Sequence, residues 1–156
     1  MPNLPVAQRR GVTALFTEDR DEEALATVES LMSQLGVAPV VATEAQFSAI
    51  GAVAGSGPAY VARFVDALAA GGEGIGLSPD LARLVALETL TGTAAMASAT
   101  GLDMSELARR VASPKGTTEA GLAVLDAPDG LKPLLARMLA AAIARGRELA
   151  DAARRS

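Results

Sequence analysis

The chain contains no cysteine, histidine or tryptophan, and only 3% of its 156 residues are aromatic. Without cysteine it has no disulfide and no thiolate nucleophile, and without histidine it has no imidazole base. Zinc and haem sites depend largely on those two residue types, so no metal site is expected. These absences exclude most of the common enzyme chemistries.

Long apolar runs and a basic charge balance are also missing. No uncharged apolar run reaches the roughly 18 residues of a membrane span, and the N-terminus lacks the pattern of a signal peptide. The net charge is −4, and we interpret the basic cluster near the C-terminus, Arg145, Arg147, Arg154 and Arg155, as solvated helix surface. We therefore expect a cytoplasmic protein that binds neither nucleic acid nor membrane.

The first part of the chain, residues 1–42, predicts a β-α-β unit. The segments 11–17 and 39–42 are typical of short strands, and Asp21 is positioned to cap a helix between them. Gly36 is expected to end that helix in a left-handed conformation. A lone unit of this kind leaves its sheet edges unpaired, so it should need a further neighbour.

From residue 43 to residue 156 the pattern is helical throughout. Thr43 and Gln46 form a capping-box pattern, and a long helix is predicted to start after Ser78 and to end at Gly101. Asp103 and Glu106 form a second capping-box pattern, and a last helix is expected over about 130–153. With so few aromatic residues, the core must be built from Leu, Val and Ala at close range, which favours a homodimer through this part.

A glycine-rich turn stands out where the helical part begins. Pro58 suits the first turn of a helix, and Ser56, two residues earlier, is a good N-cap residue. Gly55 and Gly57 would let another backbone or a ligand come close. Two interpretations stay open, a pocket wall and helix packing at a dimer interface.

Three ordered motifs resemble those of pyrroline-5-carboxylate reductase: Met1-Pro2-Asn3-Leu4-Pro5, Gly55-Ser56-Gly57-Pro58-Ala59-Tyr60, and Ser113-Pro114-Lys115-Gly116-Thr117-Thr118. In that family the motifs read approximately MPNTP, GSGPAY and SPGGTT. The resemblance implies a mainly α fold with a helical dimerisation domain like the C-terminal domain of 6-phosphogluconate dehydrogenase. Residues 43–156 would form that domain, which also binds substrate, and residues 1–42 would be the residual β-α-β end of a truncated Rossmann domain.

The resemblance also implies an activity, the transfer of a hydride from NADPH or NADH to the C=N bond of 1-pyrroline-5-carboxylate, giving L-proline. The G-x-G-x-x-G turn that binds a dinucleotide is missing, since the similar run Gly71–Gly76 is interpreted as an interhelical turn. Met1 resembles an internal methionine of the family, so we expect a truncated and inactive chain. The alternative is a non-catalytic dimerisation or binding module derived from this family.

Roles for particular residues follow from the same resemblance. Thr118 would be catalytic, as a hydrogen-bond partner near the imine nitrogen. The substrate-binding set would be Val111, Ser113, Gly116, Thr117 and Thr118, the cofactor-binding set Asn3 and Pro5, and the pocket-shaping set Gly55, Ser56, Gly57 and Pro58.

Spacing alone favours a simpler interpretation, in which Thr117 or Thr118 only caps the next helix. Lys115 departs from the family glycine. It would strain the loop by about 1 kcal/mol at positive φ, or its ammonium could pair with the substrate carboxylate.

Overall fold

The computed structural model describes residues 1–19 and 21–155. It is mainly helical, which confirms the predicted fold class. The elements in chain order are β1 Gly11–Val12, α1 Glu22–Ser33, β2 Gly36–Val37, α2 Glu44–Ile50, α3 Gly57–Gly74, α4 Pro79–Thr100, α5 Met104–Val111, α6 Thr117–Leu125 and α7 Leu131–Ala153. A 3₁₀-helix, Leu4–Gln8, precedes β1, and a π-helical turn, Gly51–Gly55, joins α2 to α3.

By packing, the chain divides into two units. One contains residues 1–61 and the residues from 137 onward, and the other contains residues 62–136. The predicted division of the chain at residue 42 stays a prediction.

A β-α-β unit is present with β1 and β2 parallel, but the second strand is Gly36–Val37 rather than the predicted 39–42. The paired residues are Gly11 with Gly36 and Val12 with Val37, and a parallel bridge joins Leu15 to Val40. Pro2 adds an antiparallel bridge to Thr13 on the other side of β1. The chain segment that begins at Met1 therefore lies beside β1 and is held to it.

The position of Gly36 differs from the prediction. The C-cap of α1 is Gln34, which keeps a right-handed helical conformation, and Gly36 is the first residue of β2. Its φ is +139°, and a Cβ at this position would overlap the backbone of Gly11. The glycine is therefore needed for the close approach of two strands rather than for ending the helix.

Local caps start α1 and α2 as predicted. Asp21 Oδ1 accepts a hydrogen bond of 2.9 Å from the Ala24 N–H at the start of α1. At α2 the Gln46 N–H donates to Thr43 Oγ1 at 3.2 Å, and Gln46 Oε1 accepts from the Ala42 N–H at 3.0 Å. The reciprocal side-chain bonds are those of a capping box shifted by one residue.

The long helix α4 also has the predicted ends. Ser78 precedes it in an extended conformation, and Gly101 ends it in the left-handed conformation with φ 65°. The interhelical turn before α4 is shorter than predicted, because α3 continues through Gly74. Only Ile75–Ser78 link the two helices, and Gly76 has a positive φ of 105°.

The described residues bury few large side chains. Apart from Leu107, the buried hydrophobic residues are all alanines: Ala14, Ala38, Ala52, Ala69, Ala82 and Ala86. In the second unit three of these alanines form one cluster with Val65 beside it. Large apolar side chains of α3 and α4 stay at the surface, among them Phe64, Leu68, Leu81, Leu84, Val85 and Leu87.

Candidate functional site

A tight turn joins α5 to α6 and contains the third sequence motif. The Gly116 N–H donates a hydrogen bond of 2.9 Å to the Ser113 carbonyl oxygen, which closes the turn. Pro114 occupies the second position, and Lys115 occupies the third with φ 58°. Proline followed by a residue of positive φ is the pattern of a type II turn, whose third position favours glycine. The positive φ considered for Lys115 is therefore confirmed.

Gly116 fits where no larger residue would. It is the N-cap of α6, with φ −87° and ψ 173°. A Cβ on Gly116 would lie 2.9 Å from the Ser113 carbonyl oxygen and closer still to Ser113 Oγ. The absence of a side chain lets the turn close directly against the start of the helix.

Thr117 and Thr118 are the first two residues of α6. The interpretation that one of them caps the helix is wrong, because the cap residue is Gly116 and no side chain caps this end. The Ala120 N–H is bonded to the Gly116 carbonyl oxygen at 3.3 Å. The N–H groups of Thr117 and Thr118, and both of their hydroxyls, have no hydrogen-bond partner among the described residues. Such N–H groups suit an anion.

Glu119, in the first helical turn of α6, contacts this turn and was not among the predicted site residues. Its carboxylate accepts a hydrogen bond from the backbone N–H of Lys115. The available signal was its place three residues after the N-cap, where a glutamate side chain commonly turns back toward the chain before the helix. Within the described part of the chain, the Lys115 ammonium has no carboxylate within salt-bridge distance.

The structure brings Ser113, Gly116, Thr117 and Thr118 into one short segment. Ser113 and Thr117 are exposed, and Gly116 and Thr118 are half-buried. Val111 ends α5 before the turn and is 59% exposed. Hydroxyls, unpaired N–H groups and an accessible surface therefore occur together at the start of α6.

The helix that leads into this turn carries its own charge network. The carboxylate of Glu106 pairs with Arg110 at 2.9 Å and also with Arg109. The hydrogen bond from Arg110, helped by the charge of Arg109, holds the pKa of Glu106 below its usual value.

Asp103 accepts a 2.7 Å hydrogen bond from the Ser105 N–H, and its hydrogen bonds with Ser105 lower the pKa of this carboxyl. Glu106 pairs with arginines instead of turning back to Asp103. Asp103 therefore caps α5 through the Ser105 N–H, and the predicted capping box with Glu106 does not form.

The glycine-rich turn before α3 follows the π-helical turn. The Ser56 N–H donates to the Gly51 carbonyl oxygen at 3.3 Å, five residues back. Ser56 has φ −85° and ψ −15°, so it lacks the extended conformation of an N-cap, and the predicted cap is wrong. Apart from the adjoining residues and the nearby backbone of the same helix, no atom of the described chain would come within 4 Å of a Cβ at Gly55 or Gly57. Both glycines border open space.

The first motif contacts this glycine-rich region. Asn3 Nδ2 donates a hydrogen bond of 2.9 Å to the Ala54 carbonyl oxygen, and Asn3 Oδ1 accepts one of 2.9 Å from the Val12 N–H. Pro5 lies in the 3₁₀-helix that follows. Both polar atoms of the Asn3 side chain are thus bound within the chain, and the cofactor contacts of Asn3 and Pro5 stay predictions.

Two kinds of site are not seen in the described part of the chain. No group of three or more acidic side chains there could hold a metal ion. Among the described helices, none combines the length and the apolar character needed to cross a membrane.

Fold and site together define a class: a helical domain with a small β-α-β unit at its start and an anion-suited turn between α5 and α6. Residues 44–149 match a family model described as pyrroline-5-carboxylate reductase dimerisation. The chain belongs to this family.

Curated relatives and solved structures agree with that assignment. The chain is 39% identical to a pyrroline-5-carboxylate reductase of Pseudomonas aeruginosa, with 97% of this chain and 55% of the relative covered. It is 38% identical to the enzyme of that name from Pisum sativum, with 96% and 54% covered. The chain thus spans about half the length of these curated relatives.

Two solved structures show the same fold. A pyrroline-5-carboxylate reductase from Coxiella burnetii superposes with a TM-score of 0.89 at 38% identity, over 96% of this chain and 55% of that one. A pyrroline carboxylate reductase from Plasmodium falciparum, solved with NADP bound, gives 0.79 at 25% identity, over 93% and 59%. The family resemblance inferred from three motifs is confirmed.

Proposed function

We propose that this chain is the substrate-binding and dimerising half of a pyrroline-5-carboxylate reductase. In the complete enzyme a hydride passes from NADPH or NADH to the C=N carbon of 1-pyrroline-5-carboxylate and gives L-proline. The observation that carries the proposal is the turn Ser113–Gly116, which opens α6 with N–H groups and hydroxyls that lack partners. A helix start of this kind complements the carboxylate shared by substrate and product.

Each residue of the predicted substrate-binding set has a distinct part in this proposal. The Ser113 hydroxyl and the Thr117 N–H would hold the carboxylate, and Val111 would offer its exposed apolar side chain to the ring. Gly116 contributes space, because its own N–H already closes the turn. We assign the Thr118 hydroxyl to the imine nitrogen. Since the imine can arrive protonated, an accepting hydroxyl is sufficient there and no histidine is needed.

The residues of this chain do not fit a whole dinucleotide cofactor. A dinucleotide-binding half needs about six strands and a glycine-rich turn after the first strand, whereas the structure describes two short strands. Gly71–Gly74, from the one similar run, lie within α3. We therefore expect the cofactor to be bound mainly by residues outside this chain. Asn3, Pro5 and Gly55–Pro58 would border its nicotinamide end.

Self-association is the second part of the proposal. Large apolar side chains on α3 and α4 are exposed, while the buried positions are mostly alanine. Water contact at so many apolar side chains is unfavourable, and a second copy of the chain would cover them. The proposal involves a small-molecule substrate and a homodimer or higher homo-oligomer, without nucleic acid or membrane. A cytoplasmic location stays a prediction.

Titration of the chain with L-proline, followed by amide NMR, tests the substrate-binding part. We expect saturable shifts centred on Ser113–Thr118. Thr118→Val should weaken the affinity about five- to tenfold, the effect of losing one hydrogen bond. Thr27→Val is a matched control, because the Thr27 hydroxyl bonds only the Glu23 carbonyl oxygen on exposed α1. Equal affinities in both variants would contradict the role of Thr118.

A non-catalytic module derived from the family is the second candidate. The observation that favours it is the Glu119 carboxylate beside the turn, because a fixed negative charge opposes the binding of an anion. A module of this kind would show no saturable proline binding.

An NADPH-coupled assay with pyrroline carboxylate completes the test. We expect no turnover by the isolated chain under either candidate function. Clear turnover would refute the proposed absence of a cofactor-binding half.

A further inference from the structure

The carbonyl oxygen of Ala54 cannot be satisfied in the ordinary helical way. In a helix this oxygen accepts from the N–H four residues later, and that residue is Pro58, which has no N–H. The next donor, the Ala59 N–H, is bonded instead to the Ser56 carbonyl oxygen at 3.0 Å. A half-buried carbonyl left without a donor would destabilise this turn.

The missing donor is supplied by Asn3, which lies 51 residues earlier in the chain. Its side-chain Nδ2 donates to the Ala54 carbonyl oxygen at 2.9 Å. The carboxamide is held in place from two sides, because its Oδ1 accepts from the Val12 N–H and the Asn3 N–H donates to the Val12 carbonyl oxygen at 3.1 Å. Asn3 is thus anchored to β1 and faces the π-helical turn.

We propose that Asn3 is a positioning residue that replaces the missing N–H of Pro58 and so holds the Gly55–Pro58 turn against the β-α-β unit. The first and second motifs therefore act together through the hydrogen bond to the Ala54 carbonyl oxygen. Because Pro58 has no N–H, the helix lacks a donor for the Ala54 carbonyl oxygen, and the Asn3 side chain supplies that donor from a distant part of the chain. The statement that this turn shapes a substrate pocket rests on the proposed function, whereas the coupling of Asn3 to Pro58 does not.

The chemistry of the asparagine side chain suits this role. An aspartate of the same length keeps the acceptor for the Val12 N–H, but it has no hydrogen to donate to Ala54. An alanine loses both bonds. Asn3→Asp is therefore the substitution that removes the proposed donor alone.

The test is a double-mutant cycle read by amide hydrogen exchange on the full chain. Asn3→Asp is made in the natural sequence and again in a Pro58→Ala background, where residue 58 regains an N–H. We expect exchange of the Ala59 and Tyr60 amides to rise about five- to tenfold with Asn3→Asp in the natural sequence, the effect of one lost hydrogen bond. In the Pro58→Ala background the rise should fall below about twofold.

Two further measurements test whether the change in exchange comes from the Asn3 side-chain hydrogen bond. Gln8→Glu makes the same amide-to-acid change at an exposed position and should leave these amides unchanged. Asn3 is the only asparagine of the chain, so selective ¹⁵N-asparagine labelling gives one side-chain NH₂ pair. We expect that pair to be protected from exchange in the natural sequence and to lose protection when Pro58→Ala restores a competing donor.

The outcomes separate this inference from the proposed function. An equal rise in both backgrounds, or no rise in the natural sequence, would overturn the coupling of Asn3 to Pro58. Titration of the Asn3→Asp variant with L-proline is a separate measurement. We expect a weaker affinity for proline if the turn borders the substrate pocket. Failure of the unmodified chain to bind proline would count against the proposed function and leave the exchange result as it stands.

Discussion

The backbone N–H of Lys115 donates a hydrogen bond to the carboxylate of Glu119, four residues further along the chain. Lys115 has φ 58°, a conformation that costs a residue with a side chain about 1–2 kcal/mol. The bond holds the strained residue in place at the end of the turn that precedes α6. Both residues therefore lie directly beside the candidate substrate site at the start of α6.

Replacement of Lys115 by glycine should relieve this strain. We expect Lys115→Gly to raise the free energy of unfolding by up to about 1 kcal/mol, because glycine adopts positive φ without a steric cost. Urea denaturation measures the change. Lys115→Ala is the matched control, since it removes the ammonium and keeps the Cβ. Equal stability of the glycine and alanine variants would show that no strain is released.

The same two variants test a direct contact between Lys115 and substrate. If the ammonium pairs with the carboxylate of proline, both variants should bind proline more weakly than the natural chain. Unchanged affinity in both would exclude that contact. Calorimetric titration at low salt gives the clearest reading, because an exposed ion pair is screened at high salt.

Neutralisation of Glu119 should affect binding and stability differently. Glu119→Gln keeps an oxygen acceptor for the Lys115 N–H but removes a negative charge beside the turn, so proline affinity should rise about threefold at low salt. Glu119→Ala also loses the hydrogen bond and should lower the free energy of unfolding by about 1 kcal/mol. A gain in affinity that persists undiminished in 1 M salt would contradict the electrostatic explanation.

The ion pairs of Glu106 predict a pH dependence. Its pKa is lowered by the hydrogen bond from Arg110 and then by the charge of Arg109, so its contribution to stability is present above the usual glutamate pKa. As pH falls below about 4.3 and through the lower folded pKa, that contribution is lost. Glu106→Gln should therefore reduce the midpoint of unfolding slightly at pH 7 and have no effect once the carboxyl is protonated.

The control for this pH series is Glu29→Gln. Glu29 is exposed on α1 and has no ion pair within the described part of the chain. Its replacement should leave the midpoint unchanged at every pH. A Glu106 effect that stays constant down to strongly acidic pH would exclude the charge interaction as its cause.

The exposed apolar surface predicts self-association. We expect the chain to sediment as a dimer or larger oligomer at micromolar concentration. Leu84 is 57% exposed on α4, and Leu84→Glu should weaken association at least about 100-fold by placing a charge in an apolar contact. Leu31→Glu changes a leucine that is 61% exposed on α1 and serves as control. A monomeric natural chain at this concentration would contradict the prediction.

Local features of the sequence predicted much of the secondary structure. Asp21 and Thr43 cap their helices through bonds to residues three positions later, so the information lies within one turn of chain. Gly101 ends α4 in the left-handed conformation for the same local reason. The predicted Ser56 cap fails because the π-helical turn before it keeps the chain helical through that residue.

The candidate site was predictable in part. The order of the motifs indicated the turn between α5 and α6. At position 115, where this chain has lysine and the family has glycine, the glycine indicated a positive φ, and the structure shows one. The spacing did not distinguish a capping threonine from Gly116. The N-cap position of Gly116 depends on its close approach to Ser113, because a Cβ at residue 116 would overlap the Ser113 carbonyl oxygen.

By itself, the sequence determined the class of fold, the positions of most helix ends and the family, because caps, periodicity and short motifs act over a few residues. Only the tertiary structure decided that Gly36 packs against Gly11 and that Asn3 donates to Ala54. Pro58 shows that a donor is missing, but its sequence position does not show which residue replaces it. The partner lies 51 residues from Ala54, and only the folded backbone brings the two together.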